Sequence, residues 1–398
     1  MRKNGVNKTL TPIEGGVCAP VGFRASGIRC GCGVNDAKED LALVVADKRF
    51  PVAAVFSQNA LVGAPTAISK KHMQSGFARA VVVNSGIANV FAEDGEEIAR
   101  SICAKVGKKL GADADEILIC STGEIGLKFP TDKILQGVDF LVQSLDNTHE
   151  NSLAAARALM TTDKRVKQLS YSFDLGDYPC KIGAIFKGGR RVCPNMATTL
   201  CVLTTDVDIT SEMLQKALSA ATNDTLNLLD LDGISSPNDA VYIFTSRAAG
   251  NYRISCADSE YKKFAAALER VLDEVCRVIA KEGERLFVWE TVGAKSKRVA
   301  RAIAKAAVGA NALKARLEQK EMDITSLLCV IGGVEEKLGL ENTEIILSSQ
   351  KGKLTLFMDG KALTVSSVAI REILSADEIT IKIDLGEGNY GARAIGCV

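Results

Sequence analysis

Two apolar runs separated by a short basic loop lie at the centre of the 398-residue chain. The runs cover residues 182–186 and 200–203, and the loop starts at Lys187-Gly-Gly-Arg-Arg and continues to Pro194-Asn. Short apolar runs bounded by glycine and proline predict buried strands, and the residues between them are typical of a turn. The centre of the chain is therefore expected to form a strand, a loop and a second strand.

The same loop is compatible with a chain that cleaves itself, as well as with a plain turn. If the bond between Ala197 and Thr198 is cut, Thr198 becomes the first residue of a new chain. Its hydroxyl group is then a nucleophile and its own α-amino group a base, because an α-amine with a pKa of about 7.7–8.0 accepts a proton near neutral pH. This chemistry needs no histidine, and the sequence contains only His72 and His149.

Overall charge and the distribution of apolar residues limit the classes of partner. A formal net charge of +1 gives no basis for binding nucleic acid or a membrane surface. The sequence has no apolar run of about 18 residues, the length that predicts a membrane span, and its N-terminus lacks the apolar core of a signal peptide. We therefore expect a cytoplasmic protein with small-molecule partners, and the basic loop at Lys187 suits an anionic carboxylate substrate.

The twelve cysteines do not form a recognisable metal or redox motif. Cys30 and Cys32 are the only close pair, and they lack the two intervening residues of the usual redox and zinc motifs. With only two histidines elsewhere in the sequence, no metal site and no cofactor are expected. We interpret the cysteines as mostly small buried residues of a protein in a reducing cytoplasm.

Apolar periodicity predicts a mixture of strands and helices. Strands are predicted at residues 40–47, 52–56, 80–83, 117–120, 241–244 and 378–385. Helices are predicted at residues 96–110, 130–145, 152–160, 258–282 and 297–308. The first two strands are expected to be neighbours, and Met358-Asp-Gly-Lys361 predicts a hairpin turn. Because strands and helices do not alternate regularly, the pattern indicates an α+β fold.

Polar turns follow two of the predicted strands. Asn84-Ser-Gly follows residues 80–83, and Ser121-Thr122-Gly123 follows residues 117–120. A threonine hydroxyl and a glycine N–H at a strand end can donate hydrogen bonds to the oxygen that gains charge during acyl transfer. From these residues alone, an ordinary glycine turn is the simpler explanation of both segments.

The central loop also matches a longer motif. Its residues Cys193-Pro-Asn-Met-Ala-Thr-Thr-Leu, preceded by Lys187-Gly, resemble the self-cleavage segment of the bifunctional ornithine acetyltransferase (glutamate N-acetyltransferase) family. The resemblance extends over nearly the whole chain, from Gly15 to Cys397. It implies that the chain is an autoproteolytic N-acetyltransferase, cut between Ala197 and Thr198.

The resemblance also implies a division of the chain and a role for individual residues. Residues 1–197 would form an alpha chain and residues 198–398 a beta chain. Thr198 would be the catalytic nucleophile, and Thr122 and Gly123 would form the oxyanion hole. The implied substrate-binding residues are Thr161, Lys187, Thr198 and Glu284.

The same resemblance implies a fold, an activity and a set of partners. The fold would be a layered helix–sheet–sheet–helix body resembling N-terminal nucleophile hydrolases. The activity would be transfer of an acetyl group from N-acetylornithine to glutamate in arginine biosynthesis, by a ping-pong mechanism through an acetyl-threonine. No cofactor is implied, and two alpha and two beta chains would assemble.

Three segments depart from the family pattern. Residues 285–288 read Arg-Leu-Phe-Val where the family has Gly-Ala-Thr-Lys, and residues 309–316 lack the family's Pro and Trp. The family continues beyond Gly-Cys to an Asn and a Thr or Ser, whereas this sequence stops at Val398. Three alternatives stay open: a related acyltransferase or amidohydrolase with a different amino-acid substrate, a catalytically silent homologue, or a truncated sequence.

Overall fold

The computed structural model of the protein describes residues 10–33, 38–189, 199–334 and 338–398. Both helices and sheets are present, so the predicted α+β class is confirmed. The described residues form two compact units, of which the second contains Asn223–Ile234 and Cys276–Val398 and the first contains the other described residues. The predicted boundary at Ala197 and Thr198 lies outside the described residues and stays a prediction.

The first unit is built on a nine-stranded sheet. Its strands are β1 (Thr11–Pro12), β2 (Phe23–Ile28), β3 (Leu41–Phe56), β4 (Phe77–Asn84), β5 (Ile117–Ser121), β6 (Gln168–Leu175), β7 (Tyr178–Lys187), β8 (Leu200–Thr205) and β9 (Ala240–Thr245). The helices up to residue 280 are α1 (Ala64–His72), α2 (Gly95–Leu110), α3 (Thr131–Gln143), α4 (His149–Leu159), α5 (Ser211–Asp224) and α6 (Ser259–Ala280). The strand order is β1-β6-β7-β8-β9-β3-β4-β5, and β2 pairs with β3.

Strand β3 is long and belongs to two parts of this sheet. Its first half pairs with β2 and β4, its second half pairs with β9, and the pairing register with β4 shifts between Val45 and Phe50. The prediction that residues 40–47 and 52–56 form two neighbouring strands was therefore wrong. The exposed polar residues Asp47–Arg49 interrupt the apolar pattern, but the strand continues through them.

The two halves of the sheet face each other across an apolar core. Val44 and Leu118 from one half and Val202 and Tyr242 from the other belong to the same buried cluster. On their opposite face, β3, β4 and β5 pack against α2 and α3. Helix α5 docks on β3 through Gln215, whose amide nitrogen donates to the Ala54 carbonyl at 3.0 Å. The predicted helix–sheet–sheet–helix layering is confirmed in this unit.

The second unit contains a six-stranded sheet. Its strands are β10 (Leu286–Ala294), β11 (Glu344–Ser349), β12 (Gly352–Met358), β13 (Lys361–Ala362), β14 (Glu378–Asp384) and β15 (Tyr390–Cys397). The helices are α7 (Lys297–Gly309), α8 (Asn311–Glu318), α9 (Ile324–Gly332) and α10 (Ser367–Ile373). The predicted hairpin is confirmed, because Met358 pairs with Lys361 and both turn residues have positive φ.

Within the part of the chain that the structure describes, every helix is too short or too polar to span a bilayer.

Replacing Gly183 with alanine should destabilise the first unit. A Cβ atom on Gly183 would lie 1.9 Å from the carbonyl oxygen of Gly16, a backbone atom that cannot move without displacing the turn at Gly16–Cys18. We expect Gly183→Ala to lower the free energy of unfolding by about 1–3 kcal/mol in urea denaturation.

The matched control is Gly332→Ala, at a helical position where a Cβ meets nothing within 4 Å. Alanine is the better helix former, so this change should be neutral or stabilising by up to about 1 kcal/mol. Equal destabilisation by both variants would contradict the packing argument.

Candidate active site

Lys187 joins two of the predicted site residues through direct hydrogen bonds. It is the last residue of β7, and its ammonium group donates to Thr122 Oγ1 at 3.0 Å and to Thr161 Oγ1 at 2.7 Å. Thr122 directly follows β5, and Thr161 lies in the loop after α4. The structure thus brings together three residues that lie far apart in the sequence. Their individual roles stay predictions.

Gly123 lies beside Thr122 in a backbone conformation that favours glycine. Its φ is +131°, and a Cβ atom would lie 2.1 Å from the carbonyl oxygen of Gly86. The Thr122 amide donates to Asn84 O at 3.0 Å, and the Glu124 amide donates to Gly86 O at 2.9 Å. Within the described residues, the intervening amide of Gly123 has no acceptor. An N–H group in this state can donate to a developing oxyanion.

The turn after β4 supports the segment that contains Thr122 and Gly123. The Asn84 side chain donates to Ile87 O at 2.8 Å and accepts from Ser121 Oγ at 2.5 Å. Both side chains are buried. These contacts fix the backbone that leads into Thr122 and Gly123.

A buried carboxylate, Asp163, connects the surroundings of Lys187. Its Oδ1 atom accepts from Lys167 Nζ at 2.7 Å and from the Gly188 amide at 2.8 Å, and its Oδ2 atom accepts from the Thr161 amide at 3.0 Å. The side chains of Asp163 and Lys167 are 0% and 2% exposed. One carboxylate therefore fixes two backbone positions near the Lys187 ammonium group, the amide of Thr161 and the amide of Gly188.

The pKa values follow from burial and from these charges. Burial lowers the pKa of Lys187 from its ordinary 10.5, while the carboxylates of Asp163 and Asp239 oppose this change. Burial alone would raise the pKa of Asp163, but Lys187 and Lys167 outweigh it and the pKa lies below the ordinary 3.8. Asp163 is therefore ionised at neutral pH.

A second buried acid, Asp239, lies at the start of β9. Its Oδ2 atom accepts from the Ser236 amide at 3.1 Å, and its carbonyl accepts from the Ser57 amide at 2.9 Å. Burial raises its pKa well above the usual 3.8, with Lys187 acting in the opposite direction. The sequence alone gave Asp239 no role.

Lys38 is another cation that the sequence reasoning missed. Its ammonium group donates to the carbonyl of Met160, the residue before Thr161. Burial lowers its pKa, against the charges of Asp163, Asp40 and Glu39. No motif in the sequence marks this lysine, because it lies in a charged stretch that resembles a solvated loop.

The ArgJ family profile matches residues 24–398 of this chain. The chain belongs to the ArgJ family. It is 32% identical to the arginine biosynthesis bifunctional protein ArgJ of Caldanaerobacter subterraneus, over 97% of this chain and 96% of that protein. It is 33% identical to the glutamate N-acetyltransferase of Methanosarcina mazei, over 98% and 96% of the two chains. The predicted family and its class of enzyme, the N-acetyltransferases, are confirmed.

A solved structure with sequence similarity is the ornithine acetyltransferase of Mycobacterium tuberculosis complexed with ornithine. It is 34% identical, and the match covers 41% of this chain and 88% of that chain with a TM-score of 0.40.

The predicted substrate residue Glu284 lies in the second unit, between α6 and β10. Its side chain is exposed, and its amide donates to Val398 O at 2.8 Å. Its role in substrate binding stays a prediction. Of the next residues, which depart from the family pattern, Arg285 is buried just before β10 and Leu286–Val288 form the buried start of β10.

The central residues of the predicted cleavage site, Ala197 and Thr198, lie outside the described residues. Thr199, the next residue, is buried, and its carbonyl accepts from the Ala240 amide at 3.3 Å. Leu200 pairs with both Lys187 and Ala240. The described chain thus returns to the end of β7, where Lys187 lies.

Removal of the Asp163 charge should strongly destabilise the protein. Asp163→Asn keeps the shape of the side chain but leaves Lys167 and Lys187 without their buried counter-charge. Breaking a buried ion pair costs about 3–5 kcal/mol, and we expect a loss of this size in urea unfolding at pH 7.

The loss should depend on pH in one direction. A carboxyl group with a lowered pKa stabilises the fold above its unfolded pKa, and this stabilisation disappears as the pH falls through the folded value. The difference between the wild type and Asp163→Asn should therefore narrow below about pH 4. Asp139→Asn, which removes a partly exposed carboxylate paired with Lys105 and Lys109, is the control and should have a much smaller effect. Equal losses for both variants would refute the role of burial.

Proposed function

We propose that this chain transfers an acetyl group from N-acetylornithine to glutamate after cleaving itself between Ala197 and Thr198. The observation that carries the proposal is the pair of hydrogen bonds from Lys187 to Thr122 and Thr161. These bonds join the predicted oxyanion-hole threonine to a predicted substrate-binding threonine. The names of the ArgJ relatives support the same activity and a place in arginine biosynthesis.

Self-cleavage would precede the transfer reaction. The Thr198 hydroxyl attacks the carbonyl carbon of Ala197, the Ala197–Thr198 amide bond breaks, and an ester forms at the hydroxyl. Water then hydrolyses this ester. The products are a carboxylate at Ala197 and a free α-amino group on Thr198, which serves as the base of the mature enzyme.

Transfer would proceed in two half-reactions. In the first, the Thr198 hydroxyl gives its proton to its own α-amino group and attacks the acetyl carbonyl of N-acetylornithine. The proton passes to the departing ornithine amine, and the acetyl group stays on Thr198 as an ester. In the second, the amine of glutamate attacks this ester, and Thr198 regains its proton.

The geometry around Thr122 and Gly123 suits the negative charge that develops in both half-reactions. Lys187 donates to the Thr122 oxygen, so the hydroxyl hydrogen of Thr122 remains available to the oxyanion. The Gly123 amide supplies a second donor. The positive charge of Lys187 lies beside the same threonine, in a buried environment where electrostatic interactions are stronger than in water.

Several finer features belong to the same proposal. Thr161, Lys187 and Glu284 bind the amino-acid substrates, with Lys187 suited to a carboxylate. Two alpha chains and two beta chains assemble in the cytoplasm. Size-exclusion chromatography with light scattering would test the assembly.

Intact mass under denaturing conditions tests the cleavage directly. We expect two species, residues 1–197 and residues 198–398, and a single full-length species for Thr198→Ala because the attacking hydroxyl is absent. A wild-type protein that stays full length on incubation would remove the free α-amine from the mechanism and contradict the proposal.

Acetyl transfer from N-acetylornithine to isotope-labelled glutamate tests the activity. We expect labelled N-acetylglutamate from the cleaved wild type. Cleaved protein that releases acetate instead uses water as the acceptor, and the chain is then an amidohydrolase. Cleaved protein with neither product would identify a silent homologue or a different substrate.

Substitution of Thr122 tests the oxyanion hole. Thr122→Ala removes the hydroxyl, and loss of one oxyanion donor lowers kcat by about 10²–10³-fold. Thr122→Ser keeps the hydroxyl and is the matched control, expected to retain most of the rate. A loss of the same size in both variants would point to packing rather than to the hydroxyl group.

A further inference from the structure

Cys30 and Cys32 lie close together in a loop that contacts the turn after β4 at Ser85. Their sulfur atoms are 3.5 Å apart, and Cys32 is buried while Cys30 is partly exposed. Two residues separated by one other are about 6.6 Å apart along an extended strand. The intervening Gly31 has a φ of +77°, and this turn brings the two thiols into contact.

The carboxylate of Asp40 holds this loop in place. It is buried, and it accepts from the amides of Cys30 at 2.7 Å, Cys32 at 2.8 Å and Gly33 at 3.2 Å. Successive amides that converge on one anion fix the backbone of a short loop. The two thiols are thus held close together before any reaction, which lowers the entropic cost of joining them.

The same three residues, Cys30, Cys32 and Asp40, are close enough to bind a metal ion, because their ligand atoms lie within 4.8 Å of one another. The hydrogen bonds of Asp40 argue against this use. Both of its carboxylate oxygens already accept amide hydrogens, and a cation would compete with those amides for the same oxygens. Formation of a bond between the two sulfur atoms leaves these hydrogen bonds of Asp40 in place.

The loop touches the turn that supports the predicted oxyanion hole. The Cys32 thiol donates to the carbonyls of Asp40 at 3.4 Å and Ser85 at 3.5 Å. A Cβ atom on Gly86 would lie 2.3 Å from the Cα of Gly33, and a Cβ on Gly123 would lie 2.1 Å from Gly86 O. The backbones of Gly33, Gly86 and Gly123 thus approach too closely to admit a Cβ atom, and we expect a shift at Cys32 to displace Ser85 and Gly86 and, through them, Gly123.

We propose that Cys30 and Cys32 are a dithiol site that a peroxide oxidises to an intramolecular disulfide, and that this disulfide slows acyl transfer by displacing the turn behind Gly123. The second half of this proposal rests on the proposed function. The first half does not depend on it.

The chemistry requires hydrogen peroxide as the two-electron oxidant. The thiolate of Cys30 attacks one peroxide oxygen, the O–O bond breaks, and a sulfenic acid and water form after protonation. The Cys32 sulfur then attacks the sulfenic sulfur, the S–O bond breaks, and a second water leaves. Two thiols and one peroxide thus give one disulfide and two waters.

The two cysteines have different roles in this sequence. The hydrogen bond to Cys30 and burial raise the pKa of the Cys32 thiol, so Cys32 is a poor first nucleophile and acts as the resolving residue. Cys30 is the more exposed of the two and meets the peroxide first. Disulfide formation removes the thiol hydrogen that Cys32 donates to Ser85 O, and it draws the Cys32 sulfur toward Cys30 because an S–S bond is about 2.05 Å long.

The test is oxidation of the purified protein with a small excess of hydrogen peroxide. The protein is then unfolded in N-ethylmaleimide and analysed by peptide mass spectrometry. We expect a Cys30–Cys32 disulfide, which lacks two hydrogens and reverts with dithiothreitol. Cys30→Ser and Cys32→Ser should abolish it, whereas Cys256→Ser, which removes an exposed cysteine elsewhere, should leave it unchanged. Full alkylation of both thiols after oxidation, or stoichiometric zinc in the purified protein by elemental analysis, would overturn the dithiol assignment.

The coupling to the site has a separate readout. Acetyl transfer by the oxidised wild type should fall about tenfold, less than the loss of a whole oxyanion donor, and should recover with dithiothreitol. The acetyl-transfer rate of Cys30→Ser should neither fall with peroxide nor change with dithiothreitol. A disulfide without any effect on rate would overturn the coupling alone. If reduced protein has no transferase activity, the proposed function fails, while the mass measurement still decides whether the disulfide forms.

Discussion

The candidate site depends on one buried carboxylate between two lysines. Asp163 is ionised because Lys167 and Lys187 outweigh the cost of its burial. Its oxygens also bind the amides of Thr161 and Gly188, so a single charge fixes the loop after α4 and the exit of β7. Under the proposed function, the buried Lys187 ammonium group would attract the carboxylate of an amino-acid substrate.

Strand direction explains why distant parts of the chain meet at this point. Strands β4 and β5 are parallel, so Asn84 and Ser121 are paired at the ends of their strands, and the polar turns that follow lie side by side. Strand β7 is antiparallel to β8, so Lys187 lies next to the first residue of β8, and β9 begins beside it in parallel. The contact between Lys187 and Thr122 therefore connects the two halves of the sheet at the edge where their functional loops emerge.

The sequence was sufficient for the fold class and the family. It also pointed to Thr122, Thr161 and Lys187, which the structure brings together and whose roles stay predictions. It did not predict that the charged side chains of Asp163 and Lys167 are buried next to these residues. Asp163 and Lys167 are four residues apart in a polar loop, a pattern that usually belongs to a solvated surface, and burial depends on packing that a local pattern does not encode. The continuity of β3 was missed for a related reason, because an exposed polar segment within a strand looks like a turn.

The departure from the family pattern at residues 285–288 lies in a buried segment that packs the second unit. Residues Leu286–Val288 are buried in β10, between β14 and β15. The neighbouring Arg285 donates to the carbonyls of Leu374 at 2.9 Å and Glu318 at 3.0 Å. Substitutions at such positions alter packing in the second unit, whereas Lys187, Thr122 and Gly123 lie in the first. Under the proposed mechanism, the nucleophile and oxyanion parts are therefore unaffected by these departures, and any change in specificity falls on the residues around Glu284. Under that mechanism, a change around Glu284 would alter which amino acid donates or receives the acetyl group, while Thr198, Thr122 and Gly123 keep their proposed roles.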